Sequence, residues 1–168
     1  MPQGPMMAII VGKGIGPIRF GATFATVERL MEKECTERSE TRCGYPDRGV
    51  VLEFADGVVS AIDIFRGGRL RPDAKGPDDV FGVFNGAIPP DIMPGMVPDA
   101  VQEALGSPER VEALKEPSPT NTIERHYYDG AILDYDLNPL NNRLMLGRIR
   151  LTPRKPNTPG SAKPAESN

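Results

Sequence analysis

The chain contains no tryptophan, a single histidine (His126) and only two cysteines, Cys35 and Cys43, among its 168 residues. A structural zinc site takes about four such ligands, so no metal and no cofactor is expected. A Cys–His nucleophile is also unsupported, because neither cysteine has a histidine in its own part of the chain. Long apolar runs are missing. The longest near the start, Met6 to Val11, falls short of the roughly 7–15 residues of an export-signal core, and nothing approaches the roughly 20 needed to span a bilayer. Cytoplasmic residence and no membrane contact are therefore expected. Positive charge is in short supply as well: Lys and Arg number 20 against 23 Asp and Glu, for a net charge of -3. Nucleic acid is a poor partner for such a body, since phosphate neutralisation needs clustered cations.

Glycine and proline are plentiful at 18 each, about a fifth of the chain against an average near roughly 12%. This argues for short elements joined by turns. Two stretches match in order and chemistry. Gly21-Ala22-Thr23 leads to Val27 and Met31, and 74 positions later Gly95-Met96-Val97 leads to Val101 and Leu105. Gly49 to Phe54 is echoed 81 positions on by Gly130 to Tyr135, and Ile62-Asp63-Ile64 is echoed 87 on by Ile149-Arg150-Leu151.

Each unit reads as one short helix followed by an antiparallel meander. Phe24, Val27, Leu30 and Met31 fall at helical spacing behind Thr23, whose hydroxyl suits an N-cap. Pro98 suits a first helical turn and Gly106 a stop, giving a second helix over Pro98 to Leu105. Asp56-Gly57 and Asp129-Gly130 tolerate the positive φ of tight hairpin turns between β-rich runs. These runs are Val50 to Ala55 with Val58 to Phe65, and Ile123 to Tyr128 with Ala131 to Asp136. A weaker strand covers Thr41 to Tyr45 and a last one Leu144 to Leu151. The fold class expected is α+β: two tandem helix-plus-antiparallel-sheet repeats forming one continuous, slightly concave face. The boundaries are a flexible lead over 1–16, unit 1 over 17–65, a linker over 66–87 with a short docking strand, unit 2 over 88–151 and a disordered tail over 152–168.

Alternation assigns the faces. Val50, Leu52, Phe54, Leu133 and Tyr135 are expected under the helices. The opposite face is expected to carry Glu53, Asp63, Phe65, Tyr128, Asp134, Arg148 and Arg150. Aromatics and arginines are the usual anchors of protein interfaces, so these seven form the candidate partner-binding set. Gly12, Gly14 and Gly16 lack the third glycine of a dinucleotide fingerprint and the Gly-Lys-Ser/Thr ending of a P-loop, and read as part of the lead. His126 with Glu53 or Asp134 is an arrangement that suggests a hydrolase, and Glu53 with Asp63 on a neighbouring strand would make an acid pair. The matching positions Asp63 and Arg150 differ in charge, which speaks against a repeated catalytic dyad. Without an export signal Cys35 and Cys43 are expected as thiols, although their separation would allow a bridge in an oxidising compartment.

Ile18-Arg19-Phe20-Gly21-Ala22-Thr23, with Val27, Cys35 and Cys43 beyond, resembles the repeat of the β-lactamase inhibitory protein family. Met93-Pro94-Gly95-Met96 with Val101, Leu105 and Gly106 is a second copy. The resemblance implies two tandem helix-and-sheet units that bind a protein on a concave sheet surface, and a Cys35–Cys43 bridge. A similar helix start also occurs in small outer-membrane assembly lipoproteins. The expectation from the whole sequence is a non-catalytic module that binds another protein, a toxin or an enzyme, in an immunity or inhibitor role. The alternative is an envelope-associated structural or assembly protein.

Overall fold

The computed structural model describes residues 3–87, 92–115 and 118–156. Two eight-residue helices, α1 (Phe24–Met31) and α2 (Pro98–Leu105), cover one face of an eight-stranded antiparallel sheet. A separate three-stranded sheet is built from β1 (Ile9–Ile10), β2 (Gly14–Ile15) and β3 (Ile18–Arg19). The eight strands are β4 (Glu37–Ser39), β5 (Arg42–Tyr45), β6 (Val50–Ala55), β7 (Val58–Phe65), β8 (Arg110–Ala113), β9 (Thr122–Tyr128), β10 (Ala131–Asn138) and β11 (Arg143–Leu151). Their spatial order is β4-β5-β6-β7-β11-β10-β9-β8. Read outward from the central β7–β11 pair, each half runs back through its own meander.

Local chemistry fixes these elements. The Thr23 hydroxyl accepts from the Thr26 amide at 3.2 Å and opens α1, while Pro98 occupies the first turn of α2. Val27 and Val101, the apolar anchors of the two helices, are both 0% exposed. They belong to one continuous core with Leu52, Ile62, Ile64, Leu133, Tyr135, Ile149 and Leu151 from the sheet, and the Phe24 and Phe54 rings stack across the helix–sheet boundary at 3.7 Å.

Residues 3–16, in the stretch expected as a flexible lead, carry defined structure. From residue 3 onward the chain forms β1 and β2 and buries Met7, Ile9 and Ile15 in the main core. Gly14 is required there, because a Cβ at that position would collide with the Ile18 carbonyl oxygen. The segment Arg66 to Ala87 is anchored as well as connecting. Its first part folds back on itself, Leu70 bridging Val80, and buries Phe81; Phe84 reaches the main core. Of the tail, Thr152 to Pro156 is described. There the Lys155 amide donates to Asp129 Oδ1 at 2.7 Å and the Lys155 ammonium pairs with Glu109 at 3.1 Å. Residues 157–168 lie outside the described residues. No helix among the described residues is long and apolar enough to cross a membrane.

Candidate functional site

The helices leave the other sheet face to charged side chains, and the register brings them together. Arg150 lies opposite Asp63 across the β11–β7 pair. Its Nη1 donates to Asp63 Oδ2 and to Glu53 Oε2, both at 2.9 Å, and its Nη2 to Glu53 Oε1 at 2.8 Å. Further across the sheet, Arg148, Asp134 and Arg125 stand side by side on β11, β10 and β9. Arg125 grips Asp134 with two hydrogen bonds, 2.6 Å from Nε and 3.4 Å from Nη2. Arg148 Nε lies 3.1 Å from Asp134 Oδ2 but is not aligned to donate, so that contact is an ion pair without a hydrogen bond.

Two segments stand over this face and turn its middle into a cleft of about 590 Å³. One is the strap from Arg66 to Phe81, which reaches toward β4, where Arg71 pairs with Glu37. The other is the β8–β9 connection, represented by Leu114, Ser118, Pro119 and Thr120. Arg69 ties the two together at one end. Its Nε donates to Asp136 at 2.9 Å, and its Nη2 to Thr122 at 3.0 Å and Thr120 at 3.3 Å. The cleft is lined by Arg42, Arg69, Arg71, Arg125, Arg148 and Arg150 against Glu53, Asp63 and Asp134. This is a local cationic excess in a chain that is acidic overall.

Burial and pairing act oppositely on the two carboxylates that share Arg150. The guanidinium's hydrogen bonds hold the Glu53 carboxyl below its ordinary range. Asp63 is only 5% exposed, its Oδ1 has no partner, and burial pushes its carboxyl up despite Arg148 and Arg150 nearby. The folded chain therefore holds the Asp63 proton more tightly than the unfolded chain does. That group costs stability above its unfolded value of about 3.9, and the cost fades as the pH falls through the raised folded value. Asp63→Asn is expected to melt no lower than the wild type at neutral pH, with any advantage shrinking on acidification. Thermal melts across the acidic range check this, and a clearly lower neutral-pH melting temperature would contradict it.

Six of the seven candidate residues, Glu53, Asp63, Phe65, Asp134, Arg148 and Arg150, line this one cleft. Phe65 is no free anchor. It is 6% exposed because the Phe81 ring stacks on it at 3.9 Å, near parallel. Tyr128 is on the opposite face. The two-residue Asp129-Gly130 turn sets Tyr128 against Ala131, so it packs on the helix-side core and its hydroxyl donates to the Gly106 carbonyl at 2.8 Å. Arg125, Arg69 and Arg42 were not among the candidates. The same turn, read correctly, puts Arg125 across from Asp134 and would have identified it.

His126 shares the helix-side face. Its ring lies 4.6 Å from that of Tyr135, its Nε2 meets Glu124 Oε1 at 2.9 Å, and its Nδ1 is buried without a partner. Glu53 and Asp134 are on the far side of the sheet, so the rival grouping of His126 with either carboxylate is not assembled. Among the described residues no cluster of three or more His, Cys, Asp or Glu is placed to hold a metal ion. Cys35 and Cys43 are not thiols: they form a disulfide that joins the segment after α1 to β5. No protein-family model, curated protein or solved structure matches the chain.

Proposed function

We propose that the chain is a non-catalytic protein-binding module of the inhibitor or immunity kind, whose partner, a toxin or an enzyme, docks at the cleft on the open sheet face. The observation that carries this reading is the gathering of Glu53, Asp63, Asp134, Arg148 and Arg150 in one cleft, where Asp63 Oδ1 and Arg148 Nε are buried without hydrogen-bond partners. Buried polar atoms normally find partners, so two orphans of opposite kind beside one opening suit a surface completed by another molecule.

In this reading the two halves, α1 with β4–β7 and α2 with β8–β11, are tandem copies of one helix-and-meander unit. The mirrored strand order and the matched anchors Val27 and Val101 support that, as does the resemblance of Ile18 to Thr23 to the β-lactamase inhibitory repeat. The Cys35–Cys43 bridge favours an oxidising compartment over the cytoplasm. The same bridge favours, as a second reading, an envelope-associated assembly protein.

Arg42 is the best probe of the face. It is exposed, lines the cleft and makes no ion pair among the described residues, so reversing its charge deletes no pair of the fold, although it sets a carboxylate across the β5–β6 pair from Glu53. With a partner isolated from the native source, Arg42→Glu is expected to weaken binding by about tenfold or more. Arg29→Glu, exposed on α1 at the other face, is expected to bind as the wild type does. Equal losses in both variants would remove the open face from consideration.

A further inference from the structure

The cleft is walled, and the walls limit what reaches its floor. The strap from Arg66 to Phe81 and the turn around Ser118 to Thr120 stand on either side, and Arg69 closes one end by joining them. Between such walls a narrow, protruding segment is a better fit than a flat protein surface.

Charge decides what that segment carries. Asp134 is shared between Arg125 and Arg148, and Asp136 between Arg66 and Arg69, so each of these carboxylates faces two guanidiniums. Arg150 in turn serves both Glu53 and Asp63, so the five guanidiniums Arg66, Arg69, Arg125, Arg148 and Arg150 exceed their four carboxylates by one, and the buried Arg148 Nε has no hydrogen-bond acceptor. Diagonally across the β7–β11 pair from Arg148, Asp63 Oδ1 has no donor. A simple inorganic anion satisfies Arg148 but repels Asp63. A peptide carrying a carboxylate satisfies both, because its backbone N–H groups supply donors next to its acidic side chain.

We infer that the partner inserts an acidic loop into this cleft, seating an Asp or Glu carboxylate at Arg148 and a backbone N–H at Asp63. This rests on the reading of the open face as the docking surface and names the chemistry of what docks there. Arg148 is the residue to vary, because Asp134 keeps both of its Arg125 hydrogen bonds when Arg148 is lost.

The test is calorimetric titration of the full chain with four probes: a capped Gly-Glu-Asp-Gly peptide, its Gln-Asn counterpart, succinate and inorganic phosphate. The acidic peptide is expected to bind saturably at or below about 1 mM. The amide peptide, and the acidic peptide on Arg148→Gln, should each be about tenfold weaker or worse. The Arg148→Gln melting temperature, measured in parallel, should stay close to the wild type. Equal binding of both peptides overturns the inference, as does absence of saturable binding by the acidic one. Succinate or phosphate binding as well as the acidic peptide overturns it in favour of a small-anion site. If the peptide fails while Arg42→Glu still disrupts the native complex, the docking face stands and only the acidic loop is lost.

Discussion

Asp136→Ala is expected to destabilise the protein by about 3–5 kcal/mol, because it strands buried guanidinium groups rather than merely deleting a contact. Asp136 is 0% exposed and accepts from Arg69 Nε at 2.9 Å, from Thr122 Oγ1 at 2.7 Å and from Arg66 Nη2 at 3.4 Å. Arg69 is itself buried, so without its counterion it must hold an uncompensated charge or pull out of the structure. Gly147 belongs to the same arrangement, since a Cβ there would collide with the Asp136 carboxylate. The consequence reaches the cleft: Arg69 ties the strap to the Thr120–Thr122 segment, and freeing it opens the closed end. Urea unfolding measures the loss. A change below about 1 kcal/mol, the size of an exposed pair, would show that the network is solvated and not a lock.

Breaking the Cys35–Cys43 bridge should have the next largest effect. Its sequence separation is 8, and closing a loop of that size restricts the unfolded chain by about 2.5 kcal/mol in the chain-entropy description. The bridge ties the end of α1 to β5 and steadies the β4–β5 edge of the sheet, while Arg150 and Arg148 lie in its middle. Cys35→Ser, or the wild type under reductant, is therefore expected to unfold at clearly lower urea while retaining the cleft's ligand binding. Thiol titration of the purified, unreduced protein should find no free thiol, and two free thiols with no response to reductant would contradict the bridge and with it the argument for an oxidising compartment.

Much of this fold was legible in the sequence, because its short elements are bounded by residues with one dominant physical role. Thr23 and Pro98 mark the helix starts, and Asp56-Gly57 and Asp129-Gly130 mark the hairpins, as observed. The three short strands near the start were missed because two-residue strands leave no alternation to detect. Charged β4 and β8 were missed for a related reason: Glu37–Ser39 is wholly exposed and Arg110–Ala113 nearly so, so neither shows a buried face. The faces of β6, β7, β10 and β11 came out correctly from alternation. Tyr128 departs from the expected face, because the Asp129-Gly130 turn sets the phase of alternation in β9 and places Tyr128 against Ala131 on the helix side.

The candidate site was readable as a set of charges on one face but not as a cleft. Nothing local in Arg66 to Phe81 signals that Phe81 will stack on Phe65, or that Arg69 will reach Asp136 sixty-seven positions away. Those contacts depend on register shifts as well. Irregularities at Glu53/Phe54 and Asp134/Tyr135 each move the pairing by one residue, and with it which side chains meet across the sheet. Short-range pattern carries no trace of them.

The most direct measurement is dicarbonyl labelling of arginines in the free protein and in its complex with the native partner. Arg42, Arg148 and Arg150 should be protected in the complex, while Arg29 on the helix-covered side reacts equally in both. Protection of Arg29 with Arg42, Arg148 and Arg150 left as reactive as in the free chain would contradict docking at the open sheet face.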